Sequence, residues 1–372
     1  MTTTMGIIFA NIYDSSLGEL TNKRTMASLP YGGRYRQIDF SLSNMTNSGI
    51  RHIGIITKHN YQSLMTHIGS GQEWDLDLAD GGLEFLTPFA MGHNGSYRGK
   101  LEALNSAKSF LTQSTEDYII LVDSGVLCAI DFRKVLADHV ASGADVTVVV
   151  KDGIANGKKQ LDMAVRIDEN HRATDIAVDY CANENYLASM GIFIIRRELL
   201  IHEVTEAVAH NRYHFERDLV MHGFAESGMT VNAYLFGGVA LFNESTTEFY
   251  HNSLALIRPE VRYGLFGSGL TIYTKVRDEV PAYYGEHSEI DDCIVADGCT
   301  LEGKASNSVL FRGVRLEENA NVRDCVIMQS CVIGENADLE CVILDKDVIV
   351  RPGAVLRGTK DHPLVFERGE VV

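Results

Sequence analysis

The stretch VRLEENANVRDCVIMQSCVIGENADLECVILDKDVIVRPGAV, residues 314–355, decides how the second part of the chain folds. Small apolar residues recur in it at a step of six: Val314, Ala320, Val326 and Val332. After a one-residue slip come Ala337 and Ile343, and after a second slip Val348 and Ala354. This hexad predicts a left-handed parallel β-helix, in which each coil stacks a small inward residue on the last. Cys293 and Cys299, like Cys325 and Cys331, also fall six apart. They read as stacked core residues rather than metal ligands, because free cysteine packs as a small hydrophobe.

Upstream the pattern changes to short apolar runs alternating with amphipathic segments. GIIFA (6–10), HIGIIT (52–57), YIILVD (118–123), VTVVVK (146–151), MGIFII (190–195) and VNAYLF (231–236) are strand candidates. Most are almost continuously apolar, as strands covered on both faces must be. Between them SLSNMTNSG, LEALNSAKSFL and DFRKVLADHVASG carry helical spacing. The expectation is an α/β domain over 1–257 with a doubly wound, mostly parallel sheet, whose ligand lies beyond the carboxyl ends of the strands. A linker over 258–285 leads to the β-helix domain, 286–372.

Composition narrows the function classes. The 372 residues carry a net charge of -17 with 45% hydrophobic residues, which excludes nucleic-acid binding, since that needs basic surface. No apolar run is long enough to span a membrane. The N-terminus lacks the features of a secretory signal, and the seven cysteines form no CxxC pair. A cytoplasmic protein with reduced thiols is expected.

An α/β domain followed by hexapeptide coils is a layout of sugar-1-phosphate nucleotidyltransferases. LTNKR (20–24), YGGRYRQIDFSLSNMTNSGI (31–50), ASMGIFI (188–194) and NSVLFRGVR (307–315) resemble the ADP-glucose pyrophosphorylase (glucose-1-phosphate adenylyltransferase) family over nearly the whole chain. The resemblance implies transfer of a nucleotidyl group from ATP to glucose-1-phosphate. That chemistry needs backbone N–H groups and cations on phosphates, and carboxylates for Mg²⁺.

Against the family pattern those groups are missing. The glycines of AGGxGxRL fall on Asn11, Ile12 and Asp14, and its arginine on Ser16. A β-branched side chain and a carboxylate there oppose close approach of a triphosphate. The lysine that follows falls on Met26. The two aspartates that hold Mg²⁺ in the family become Gly125 and Phe242, and the lysine that pairs the sugar phosphate becomes Asp179. Tyr97, Gly99, Ser189, Met190, Gly191 and Asp218 match the family's sugar-phosphate side; maintenance of the fold is the plainer reading of them. Lys23, Arg24, Arg34 and Arg36 match basic residues that help form the family's site for phosphorylated sugar effectors. Salt-bridging surface cations would look the same.

The resemblance therefore implies a GlgD-type, non-catalytic branch of the family. Such a subunit has no cofactor of its own, pairs with a catalytic paralogue in a heterotetramer and answers to a phosphorylated sugar. Two other readings stand beside it. One is a weakly active adenylyltransferase that recruits Asp123 for Mg²⁺; the other is a stand-alone sugar-phosphate sensor. Acyl transfer by the β-helix is disfavoured, because residues 288–360 contain no histidine.

Overall fold

A computed structural model describes residues 2–79, 81–88 and 97–372. A nine-stranded sheet forms the first domain. Its parallel part runs Gly82–Leu86, His52–Ile56, Thr4–Phe9, Tyr118–Asp123, with Ile7 between Gly54 and Leu121. Leu187–Arg196 adds antiparallel to Tyr118–Asp123 and then forks. One branch is Val146–Lys151 and Val231–Leu235; the other is the Leu161–Ile167 and Ala173–Tyr180 pair. All six apolar runs are strands. Gly82–Leu86, Leu161–Ile167 and Ala173–Tyr180 are additional; their partly exposed faces gave no continuous apolar run.

The three helical segments are likewise observed. Gln37–Asn47 starts with Asp39 accepting the Arg36 backbone N–H at 2.9 Å. Asp131 caps Phe132–Ser142 by accepting from Arg133 N, and Gly143 ends it in the left-handed region, which costs glycine little. The third segment is split into Lys100–Ser106 and Lys108–Gln113. Gly32 and Gly33, both at positive φ, turn the short hairpin Pro30–Tyr31/Tyr35–Arg36.

From Tyr283 to Phe366 the chain winds into three parallel five-stranded sheets, the faces of a β-helix. Thr300 stacks on Arg315, that on Val332 and that on Ile349, so successive turns are shorter than three full hexads. This is the physical source of the slips in the hexad. Val314, Ala320, Val326, Ala337, Ile343 and Val348 are all buried. Cys299, Cys325 and Cys331 are buried in the coils and Cys293 is partly so, all as free thiols.

One apolar cluster crosses from domain to domain. Leu17, Met26, Tyr31, Phe40, Phe249 and Tyr250 pack with Phe311, Met328 and Ile343 of the coils. Tyr250 Oη donates to the Asp324 carbonyl at 2.6 Å. The segment between the domains contributes to this cluster through the helix Pro259–Phe266, whose Val261 and Leu265 are buried in it. Each fully buried large side chain here stabilises by roughly 1.5–3 kcal/mol, so the two domains hold each other in place.

Candidate functional site

Phe9, Ile56, Leu86 and Asp123 end parallel strands on the same edge of the sheet. Beyond that edge the chain turns through NIYDSS into a 3₁₀ segment, Asp14–Thr21. Asn11 Oδ1 accepts the Lys58 backbone N–H at 2.9 Å, and Asn11 Nδ2 donates to the Asp14 carboxylate. Asp14 Oδ1 in turn accepts the Met26 N–H at 2.8 Å. Burial raises the Asp14 carboxyl above its usual range, against the Asn11 and Met26 hydrogen bonds. The loop thus spends on its own side chains the backbone donors of Lys58 and Met26. Ile12 packs on the sheet's core, and Ser16 is exposed with Oγ on the Tyr13 carbonyl at 3.3 Å.

Tyr13 turns inward. Its hydroxyl donates to Asp162, and burial pushes its pKa well up. The ring covers residue 125: a Cβ on Gly125 would meet Tyr13 Cδ2 and Cε2 at 3.0 Å and Met26 Cε at 2.9 Å. Opposite, Phe242 pairs with Val126 and is buried. Tyr13, Asp123, Ser189, Met190, Gly191 and Phe242 therefore converge, but the space they enclose is about 10 Å³, at most one water.

Lys100 fills the other side of this point. Its ammonium lies 2.7 Å from Asp123 Oδ2, pairs with Glu216, and stands 5.5 Å from the Phe9 ring centroid. Burial alone would lower the Lys100 pKa; Asp123 and Glu216 outweigh it and hold it above the ordinary value. Burial raises the Asp123 carboxyl to about 7, against the pull of Lys100. Lys100 sits in GK (99–100) beside the retained Tyr97 and Gly99, a juxtaposition visible in the sequence and missed there. Lys159, paired with Glu244 at 2.7 Å and with Glu248, was missed too.

The donor set does not fit Mg²⁺. Gly125 and Phe242 offer no side-chain oxygen, and one Asp123 oxygen faces Lys100. Among the described residues no group of three or more His, Cys, Asp or Glu is placed to hold a metal ion.

A second cavity, about 390 Å³, adjoins on the loop side and includes Asn11, Ile12, Ser16, Lys58, Tyr97, Gly99, Lys100 and Asp179 in its lining. Gly99 allows the Tyr213 carbonyl to press against it and accept the Leu101 N–H at 3.0 Å. Asp218 accepts the backbone N–H groups of Tyr213 and His214 at 2.8 and 2.9 Å, so it fixes that turn and does not line the cavity. Of the residues matched to the sugar side, Tyr97 and Gly99 thus line this cavity, Ser189, Met190 and Gly191 the smaller space, and Asp218 neither.

The basic residues form a separate cluster at the domain junction. Arg24 forms an ion pair with Asp345 of the β-helix, the side chains 4% and 3% exposed, and Arg24 Nη1 is buried without a hydrogen-bond partner. Arg36 Nη1 donates to the Ser63 carbonyl and hydroxyl at 2.8 and 2.9 Å. Burial lowers Arg36 to about 10, with Arg24, Arg277 and Arg368 adding repulsion. Burial, Arg36 and Arg24 press Lys346 down to about 7. Lys23 lies 3.7 Å from Glu367, whereas Arg34 is exposed over the Tyr35 ring. Lys346, Arg277 and Arg368 lie hundreds of residues from Arg24, and nothing local in the sequence marks them.

Comparison with known proteins agrees with this architecture. A family model described as nucleotidyl transferase matches residues 6–237, and one described as GlmU-like, C-terminal hexapeptide matches 279–362. Glycogen biosynthesis protein GlgD of Bacillus subtilis (strain 168) is 34% identical over 367 residues, 99% of this chain and 96% of the relative. Glucose-1-phosphate adenylyltransferase of Bacillus thuringiensis (strain Al Hakam) is 30% identical over 370 residues, 96% of this chain and 95% of the relative. The enzyme of the same name from Bacillus mycoides (strain KBAB4) is also 30% identical, over the same shares of the two chains. The nucleotidyl transferase match over more than half of the chain, together with relatives 30–34% identical over nearly its whole length, shows that the chain belongs to the glucose-1-phosphate adenylyltransferase family of nucleotidyl transferases.

Proposed function

We propose that this chain is a regulatory or stabilising, non-catalytic subunit of ADP-glucose pyrophosphorylase in cytoplasmic glycogen biosynthesis. It pairs with a catalytic paralogue, as a heterotetramer, and modulates the synthesis of ADP-glucose from ATP and glucose-1-phosphate without a metal of its own. The observation that carries this reading is the filled site: Tyr13 over Gly125, Phe242 at the second metal position and Lys100 on Asp123. The name of the GlgD relative supports the pathway. The junction cluster around Arg24, Arg36 and Lys346 supports a phosphorylated sugar as effector, because guanidinium forks and an ammonium suit phosphate.

Regulation of this kind requires the effector to contact the two states of the partner differently through this subunit. The purified chain should show no turnover with ATP, glucose-1-phosphate and Mg²⁺. Added to the catalytic paralogue, it should change that enzyme's rate or effector response. Robust turnover alone would sink the reading, as would no effect on the paralogue at any ratio. The 390 Å³ cavity favours one alternative, a sensor that binds sugar phosphate without a catalytic partner; calorimetry with glucose-1-phosphate on the isolated chain separates the two.

A further inference from the structure

We propose that Lys100 is a built-in cation: its ammonium takes the place between Asp123 and Glu216 that a hydrated divalent ion would otherwise fill. The inference rests on the reading of this site as one that performs no metal-dependent transfer, and it assigns the cause.

The ammonium is anchored at both ends. Lys100 opens the helix Lys100–Ser106 directly after Gly99, which the Tyr213 carbonyl holds in place. Its tip contacts Asp123 at 2.7 Å and pairs with Glu216, with Phe9 and Phe193 ring centroids at 5.5 and 6.0 Å. Asp123 itself is 2% exposed, and its Oδ1 is buried without a hydrogen-bond partner. One oxygen of this carboxylate is therefore buried and unpaired. The nearby acids are otherwise engaged: Asp162 by Tyr13, Glu244 by Lys159.

Charge decides what happens without Lys100. A buried Asp123 and a partly buried Glu216 would then face each other as like charges, which is unfavourable unless a proton or a cation joins them. Mg²⁺ and Mn²⁺ bind through one or two carboxylates while keeping several waters, so Asp123 and Glu216 suffice as donors once the lysine side chain makes room. With it in place Asp123 and Glu216 already share a cation, and the space on the Tyr13 side of Asp123 holds about one water.

The test uses the full chain and Mn²⁺ followed by electron paramagnetic resonance, with thermal melting in parallel. Wild type should bind no Mn²⁺ in a manner that Asp123→Asn abolishes, and neither EDTA nor millimolar Mg²⁺ should move its Tm. Lys100→Ala should melt lower, regain Tm with Mg²⁺ or Mn²⁺ but not with NaCl of equal ionic strength, and take up one Mn²⁺, which adding Asp123→Asn removes. Should Lys100→Ala not fold in metal-free buffer, refolding in Mn²⁺ gives the same answer: recovery supports the assignment and its absence overturns it. Asp123-dependent Mn²⁺ binding by wild type would also overturn it, as would a folded Lys100→Ala indifferent to divalent ions. Metal binding by wild type without turnover would sink only this inference; turnover would sink the regulatory reading.

Discussion

The ring of Tyr13 and the bare Cα of Gly125 fit each other: one residue supplies the atoms for which the other leaves room. They stand far apart in the chain, in the loop after the first strand and in the turn after Asp123. The tyrosine of the loop and the glycine of the turn are thus one packing arrangement.

Gly125→Asp should therefore not restore a metal site. It should destabilise the chain by about 1–3 kcal/mol, the usual cost of overpacking. Tyr13→Ala combined with it should cost less than the sum of the two single changes, since the contact between them is gone. Urea melts of the four proteins give the coupling, and additive costs would refute the packing argument.

Arg24 and Asp345 join the two domains through a buried pair. Asp345→Ala leaves a buried guanidinium uncompensated and should cost about 3–5 kcal/mol, whereas Arg24→Met with Asp345→Leu should recover much of that. Differential scanning calorimetry would show the loss as a lower Tm.

Lys346, held at about 7, gives the junction cluster a pH dependence. An anion of fixed charge prefers the charged ammonium, so sulfate should bind more tightly at pH 6 than at pH 8, with proton uptake by the lysine on binding. Lys346→Gln should flatten that dependence. Calorimetric titration with sulfate, whose charge is constant over this range, in two buffers of different ionisation enthalpy checks both.

His139 lies buried with its Nδ1 2.7 Å from Thr147 Oγ1, and burial holds its pKa at about 4, below the ordinary 6.5. The native state keeps the ring neutral while the unfolded chain takes up a proton. The stability from this group is present above pH 6.5 and is lost as the pH falls towards 4. The urea midpoint should drop over that window, and His139→Gln should drop less steeply.

Much of this was legible in the sequence because periodicity reports burial. The strands at Tyr118–Asp123 and Val146–Lys151 are buried on both faces and were found to the residue. Ala173–Tyr180, with one face in water, was not. The departures at Asn11, Asp14, Gly125 and Phe242 could be read one at a time against the family's words. What replaced the missing groups could not, because Tyr13, Lys100 and Lys159 act through contacts that no linear pattern records. The same limit hid Lys346, which meets Arg24 and Arg36 only after the coils fold back on the first domain.

The apolar cluster that crosses the domain junction has a mechanical meaning. Phe249 and Tyr250 share one interior with Phe311, Met328 and Ile343, so the coils are no detachable appendage. A chain cut in the segment 258–285 would leave two raw apolar faces. Met26 belongs to that same interior and stands with Tyr13 against Gly125, so the domain junction and the filled site share a side chain.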